Sequence, residues 1–551
     1  MSDAELHTGP APEPEEDRGA LFVPGEAPPI LPLEQVEGFT VIGQVVNWNH
    51  TPSFSDVAVR MEPLAEVRPA QLLGVLHQRL TPMRLTVIQV GTSFEVNPNE
   101  VPELAAARSA LGLARSYAGE GISTRIFRLA ECETLQEFSL RETGHAGWEL
   151  DGEGSSPEQL ARAGDLVVLL SGDMVIQSLG GLPDPENGLF LGNTLDQSAA
   201  SVTLKPTAFQ YHIGIFGNPG QGKSYFAGNL LEEAAAWGIP SLVLDVNGEF
   251  RKAAEQLGGT VITLPDPDRF GLSLDLITPR ELVAIAPNVQ QGTVYAELIE
   301  LAHDRLRPKG HVTFAALSQQ IEELGESMKT VKTSVNAAKA RVAELQRDPL
   351  IGHDFDFVKE LEEKRIVVLD CRFISLKQTQ LIAAMAAREL QRIGRERARA
   401  AEQGDKNAAG WFALYFVDEA HSVIPNDEKV VSTQVHLELA RMGRHVRTGM
   451  VLSSQSPVDL NPSVLKRVQM RFVFALERDQ LRSIQGVLAD LDERIVAQLP
   501  KLPRGVCAVS GSSELVRHGF LLKVRERYTA PGGATPPVFS GRTKSRPNIA
   551  G

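Results

Sequence analysis

The octet Gly217-Asn218-Pro219-Gly220-Gln221-Gly222-Lys223-Ser224 fits the pattern G-x-x-x-x-G-K-[ST]. Glycines at this spacing let backbone N–H groups close around phosphate oxygens, and a following helix adds partial positive charge at its N-terminus. Lys223 would reach the β- and γ-phosphates of a nucleoside triphosphate, and Ser224 would ligate Mg²⁺. The flanks agree with that chemistry. Ile213-Gly214-Ile215-Phe216 has strand character, and Tyr225 to Trp237 reads as a helix closed by Gly238 and Pro240. ATP and Mg²⁺ are therefore the expected cofactors, with residues 217 to 224 and the adjoining Tyr225 as the nucleotide-binding set.

Four further clusters carry polar groups where strands should end. Leu414-Tyr415-Phe416-Val417-Asp418-Glu419-Ala420-His421 is an apolar strand closing on an acidic pair, the Walker B form. Asp418 would hold Mg²⁺, and Glu419 would orient and deprotonate the attacking water. Arg441-Met442-Gly443-Arg444-His445-Val446-Arg447 follows a helix expected at Thr433–Ala440 and supplies guanidinium groups, which stabilise charge on a transferring phosphoryl group. Ser453-Ser454-Gln455-Ser456-Pro457 ends another strand, where the Gln455 amide could touch both γ-phosphate and water. Asp245-Val246-Asn247-Gly248-Glu249-Phe250 ends a fourth, and Asp245 and Glu249 are candidates to assist catalysis. Ligands of open α/β sheets bind at this edge. Arg251 and Lys252 are candidate DNA contacts because they follow the sheet edge and carry charge.

These groups need a scaffold. Near-continuous apolar runs at Ile213–Phe216, Ser241–Asp245, Val261–Leu264, Ile366–Asp370, Trp411–Val417, Met450–Ser453 and Phe472–Leu476 predict strands buried on both faces. Helical patterns between most of them predict a wound α/β sheet. Leu317, Ile321, Leu324, Met328, Val331 and Val335 form one apolar stripe, which predicts a helical insertion over 276–359. Upstream, short apolar runs such as Phe39–Val46, Val57–Met61, Leu85–Val90 and Met174–Ile176, punctuated by Gly, Pro, Asn and Asp, predict a small β-barrel or sandwich. A helix is expected within it at Glu103–Tyr117, and a late hairpin at 164–173. The organisation expected is a tail at 1–30, a β unit at 31–194, the first part of the core at 195–275, the insertion at 276–359, the second part at 360–528, and a Pro/Gly-rich tail at 529–551. The arginines between Arg388 and Arg399 read as a solvated helix face.

Composition bounds the rest. The 551 residues are 42% hydrophobic and 23% charged, ordinary for a globular chain of more than one domain. The three cysteines, Cys132, Cys371 and Cys507, are too scattered for a metal knuckle or a disulfide framework, which fits a cytoplasmic location. The N-terminus lacks an apolar signal segment, and no run approaches membrane-spanning length. A net charge of −14 excludes a surface coated in basic groups, but not a ring with a positive lining.

Taken in order, GNPGQGKS, DVNGEF, FVDEAH, ARMGRHVRTG, SSQSP and LKVRERYTAPGGATP resemble the HerA branch of the HerA/FtsK ATPases. The resemblance spans about residues 31 to 530. His445 stands where a Lys is common, and Pro531 where a His is common. The resemblance implies an α/β fold with a RecA-like P-loop NTPase core, an N-terminal barrel of the HAS type and a helical insertion. It implies a homohexameric ring with double-stranded DNA in a central channel. The activity implied is ATP-driven DNA translocation and unwinding, in end resection and recombinational repair with a NurA-type nuclease. By match of motif Arg444 would be an arginine finger acting on the next subunit, and Gln455 a sensor. A second reading makes such a ring the scaffold and regulator of an effector enzyme in anti-phage defence. A third reading is a conjugation-type or FtsK-type pump, with the lack of a membrane-length apolar run counting against membrane-anchored versions, and a fourth is a protein-remodelling ring.

Overall fold

In the computed structural model the described residues run from Gln35 to Gly532, apart from 37, 50, 64, 97–126, 144–146, 183, 196–198, 311, 353–354, 427–429, 444, 485, 487 and 489–490. The expected helix at 103–117, the tail at 1–30 and Arg444 lie outside them.

The N-terminal unit is an eight-stranded antiparallel sheet. Its strands are β1 (Gln35–Val36), β2 (Phe39–Val46), β3 (Asp56–Met61), β4 (Leu72–His77), β5 (Arg84–Val96), β6 (Phe127–Thr143), β7 (Gly147–Ser155) and β8 (Leu166–Leu169). Pairing runs β2-β3-β6-β5-β4-β8, and β8 pairs back onto β2, so the six strands form a closed circuit. Side chains alternate across it, as the two-residue period of a strand requires. Ile42, Val57, Val59, Leu73, Val75, Ile88, Val90 and Val167 form one buried cluster. Val41, Leu72, Leu76, Leu85, Val87 and Val168 belong to a second, shared with the larger sheet. Polar contacts join the two units: Gln89 Nε2 donates to Gly519 O at 2.8 Å, and Arg68 Nη1 to Leu195 O at 2.9 Å.

The larger sheet has eleven strands: β9 (Leu189–Thr194), β10 (Ser201–Leu204), β11 (Ile213–Phe216), β12 (Ser241–Asp245), β13 (Thr260–Thr263), β14 (Ile366–Asp370), β15 (Ala413–Val417), β16 (Thr448–Ser454), β17 (Met470–Val473), β18 (Val506–Gly511) and β19 (Phe520–Val524). Their order is β10-β9-β19-β18-β17-β11-β16-β15-β12-β14-β13. The seven strands from β17 to β13 are parallel, and β18, β19, β9 and β10 add an antiparallel wing. Every residue of β11, β12, β14, β15 and β16 is buried, which explains their largely apolar sequence.

Several expectations need correction. The stretch at 164–173 is no hairpin. After β8, Ser171 caps a helix, Gly172–Leu179, by accepting from Met174 N at 3.4 Å, so the run Met174–Ile176 is helical. The unit boundary at 194 falls too late, because β9 already pairs with β19 and β10 in the larger sheet. The stripe from Leu317 to Val335 belongs to two helices, Phe314–Ser327 and Lys332–Leu345. Lys329 between them has φ +52°, and Met328 and Val331 are exposed in the turn. The boundary at 529 is also too early, since Thr529 is buried against the helix that follows the phosphate loop.

Candidate nucleotide site

Parallel strands end on one edge, and the strand order sets the order of functional groups along it. The phosphate loop leaves β11, Gln455 follows β16, Asp418 and Glu419 follow β15, Asn247 follows β12, and Asp370 ends β14. Register aligns the ends: Phe216 pairs with Ser454, Val417 with Leu452 and with Leu244, and Asp245 with Asp370.

The loop is built for close backbone approach. Gly217 has φ +157°, and a Cβ there would sit 2.6 Å from Phe474 Cβ. Gly222 has φ +115° and opens the helix Lys223–Ala236. Lys223 is buried, and its Nζ donates to Asn218 O at 3.2 Å. Burial lowers its pKa, while Glu419, Asp418 and Glu249 act to raise it. Tyr225 turns to the C-terminal segment: its hydroxyl accepts from Arg527 N at 2.7 Å.

Asp418 is buried among like charges. Burial, then Asp245, Glu419 and Glu249, push its pKa well above the ordinary carboxylate value. Such an excess of negative charge beside a single buried lysine suits a divalent cation, with Ser224 and Asp418 as the residues to hold it. Glu419 has φ +45°, left-handed backbone that turns its side chain back over the strand end. Its Oε1 accepts from Asn247 Nδ2 at 3.1 Å and from Gln455 Nε2. Its Oε2 is buried without a hydrogen bond, with His421 Nδ1 at 3.5 Å. The same His421 nitrogen is 3.2 Å from Ser454 Oγ on β16.

Asp245 binds the backbone of its own turn. Both its oxygens cap the turn after β12, accepting from Gly248 N at 2.7 Å, Glu249 N at 3.0 Å and Phe250 N at 2.9 Å. Burial raises its pKa to about 6 against those bonds. The turn it fixes presents Asn247, which also donates to Asp418 Oδ2 at 3.3 Å. Glu249 is half-buried beside it. Arg251 Nε lies 3.8 Å from Asp370, which Arg372 grips through two bonds of 2.9 and 2.7 Å, and Lys252 is exposed.

Sequence reasoning therefore missed Asn247 and His421 as site residues, although both stood inside the motifs singled out. The cue was chemical: an amide and an imidazole at strand ends have no reason to be apolar-core residues. It also missed the work of Arg525. That buried guanidinium donates to Glu232 Oε2 and Glu233 Oε1, each at 2.8 Å, and straps the chain's end to the phosphate-loop helix.

A parallel α/β sheet whose one edge carries a phosphate loop, a buried Asp-Glu strand end and an amide pair on the glutamate defines a P-loop ATPase. Residues 189–390 match the family model described as "Helicase HerA, central domain". The chain is 23% identical to the DNA double-strand break repair helicase HerA of Sulfolobus acidocaldarius, over 70% of this chain and 78% of that one. It is 22% identical to the probable DNA double-strand break repair helicase HerA of Methanocaldococcus jannaschii, over 66% and 81%. Among solved structures, the bacterial conjugative coupling protein TrwB aligns with TM-score 0.45 and 14% identity over 66% of this chain and 93% of that one. No helix among the described residues is long and apolar enough to cross a membrane.

Proposed function

We propose that this chain is an ATP-driven DNA translocase and helicase that works as a homohexameric ring. The observation that carries the ATPase is the anchored Glu419, fixed through one oxygen by Asn247 and Gln455 and without a hydrogen bond at the other, on the same edge as Lys223. Lys223 neutralises charge on the β- and γ-phosphates. Glu419 takes the proton of the attacking water through Oε2. Ser224 and Asp418 would hold Mg²⁺, which would supply charge neutralisation to the triphosphate. Gln455 senses the γ-phosphate, and Arg444 acts on the neighbouring subunit's ATP. Asp245 contributes by holding the turn that carries Asn247 and Glu249.

Double-stranded DNA as substrate, and repair of broken ends with a NurA-type nuclease in the cytoplasm, rest on the motif order and on the names of the relatives. The closed strand circuit of the N-terminal unit supports its assignment as a barrel of the HAS type. The helices between Pro279 and Lys364 support an insertion over 276–359. Arg251 and Lys252, beside the edge, are the proposed DNA contacts. The test is ATP hydrolysis with and without duplex DNA at rising salt. Hydrolysis should increase with DNA, and DNA affinity should fall steeply with salt. ATP turnover indifferent to DNA would remove the translocase.

A further inference from the structure

A short run of chain joins the N-terminal sheet to the phosphate loop. The pairing of β5 with β6 slips between Val90 and Thr92, which makes Gly91 the extra residue of a bulge. Gly91 is buried, and a Cβ on it would stand 2.3 Å from Arg494 Nε. The side chain of Arg494, which belongs to the larger unit, thus rests on bare backbone, an approach for which the missing side chain of glycine makes room.

Two sets of carboxylates hold Arg494 there. Asp492 grips it: Nη2 donates to Asp492 Oδ2 at 2.6 Å, and Nε donates to the two oxygens at 3.1 and 3.0 Å. The N-terminal sheet supplies the other set. Asp56 on β3 and Glu133 on β6 are direct cross-strand partners, an arrangement in which like charges repel. Burial and then Asp492 raise the pKa of Glu133, Asp56 adds to the rise, and Arg494 opposes it. Arg494 is therefore a cation set over an acidic pair of the neighbouring unit.

From Arg494 the chain runs directly to the phosphate loop. Asp492 caps the helix Glu493–Val496 by accepting from Arg494 N at 2.6 Å. Ile495 and Leu499 are buried in the main core, and backbone bonds continue from Val496 N to Asp492 O, Lys501 N to Gln498 O and Leu502 N to Leu499 O. The run ends at Gly505. Its N donates to Gln221 O, inside the loop, at 3.0 Å, and its O accepts from Val524 N at 3.0 Å. A Cβ on Gly222 would lie 3.7 Å from Gly505 Cα, so the two backbones pack against each other.

We propose that Arg494 is a positioning residue for the phosphate loop: it locks the Gly91 bulge to residues 492–505, so that the N-terminal sheet and the nucleotide act on each other through Gly505 and Gln221. The proposal rests on the ATPase reading above. Such coupling is reciprocal, so a load on the bulge changes nucleotide affinity by the same factor with which nucleotide changes the bulge. The bonds from Gln89 to Gly519 and from Arg68 to Leu195 also join the units, but they end beside β19 and β9, in the antiparallel wing. The Arg494 joint leads to the loop itself.

The test is a double-mutant cycle on the full chain, read by affinity for a non-hydrolysable ATP analogue. Arg494→Ala removes the joint from one side. Gly91→Ala removes it from the other, because its methyl group displaces the flexible end of Arg494. Each should weaken affinity on the order of five- to tenfold, since release loosens Gly505 from Gln221. The double variant should be no weaker than Arg494→Ala alone, because both changes break one contact. Additive losses would overturn the proposal. So would affinity within about twofold of wild type in both single variants, even with a lowered melting temperature, which would reduce the joint to a clamp between units. Hydrogen exchange in the unsubstituted chain is an independent check. The analogue should slow exchange at Val90 N, which donates to Gln71 O at 2.9 Å. Arg494→Ala should abolish that response while the loop amides still respond. A wild-type chain whose loop responds and whose Val90 does not would overturn the proposal alone. A wild-type chain that binds no analogue would overturn the ATPase reading and the proposal with it.

Discussion

Asn247 Nδ2 stands 3.1 Å from Glu419 Oε1, although 172 residues separate the two in the chain. The contact exists because β12 and β15 are neighbours in the sheet and end level with one another. It loads one carboxylate oxygen with a donor and, with Gln455 on the same oxygen, leaves Oε2 without a hydrogen bond, His421 Nδ1 lying 3.5 Å away.

Replacing Asn247 with Ala should lower kcat on the order of tenfold, with little change in KM for ATP, because the amide orients the base and not the nucleotide. Affinity for ADP–aluminium fluoride should weaken while affinity for a non-hydrolysable ATP analogue holds. Equal weakening of both would reduce Asn247 to a structural support of the loop.

Glu419→Gln should bind ATP and hydrolyse it some hundredfold to ten-thousandfold more slowly. Lys223→Ala should lose nucleotide affinity as well as turnover, because it removes the buried cation from the phosphates. Fluorescent-nucleotide titration beside phosphate release separates the two effects. Near-normal turnover by Glu419→Gln would remove that residue from the chemistry.

Arg525→Ala should destabilise the fold by about 3–5 kcal/mol, since it strands the carboxylates of Glu232 and Glu233 in a buried site. Arg525→Lys should recover only part of this, because an ammonium cannot fork across two carboxylates and the Phe190 carbonyl. Urea unfolding measures it. A loss below about 1 kcal/mol, the scale of an exposed pair, would show that the strap is not held by these bonds.

His436 makes stability depend on pH. Burial lowers its pKa to about 4, with Nδ1 donating to Ser432 O at 2.7 Å and the ring stacked on Tyr415. The unfolded chain therefore binds more protons at this site between the ordinary histidine value and about pH 4. The contribution is fully present above the unfolded pKa and is lost as pH falls through that window. The loss should reach on the order of 3 kcal/mol. His436→Phe should flatten this part of the stability-versus-pH curve. An unchanged curve would mean that another group titrates there.

Much of the scaffold was legible because its signals are local. The strands β11, β12, β14, β15 and β16 are buried on both faces, so their apolar runs needed no context. The octet ending in Lys223-Ser224 specifies its own loop, since glycine φ and helix start are properties of adjacent residues. The antiparallel wing was not legible: β9 and β19 find each other across more than 300 residues, with no periodicity to announce the pairing. The segment Met174–Ile176 misled because a three-residue apolar run suits a strand or one helical turn equally. Its neighbour Ser171, a cap, decided the matter.

By itself the sequence determined the parts list of the site: a phosphate loop, an Asp-Glu strand end, a glutamine and an acidic turn, each encoded within a few consecutive residues. Only the tertiary structure decided how those parts divide the work. Sheet order puts β16 between β11 and β15 and puts β12 beyond β15, so Gln455 and Asn247 arrive on Glu419 from opposite sides. It also turned Asp245 inward to cap its own turn and left Asn247 to face the site. Neighbour relations between strands depend on long-range pairing and burial. A local pattern of side chains contains neither.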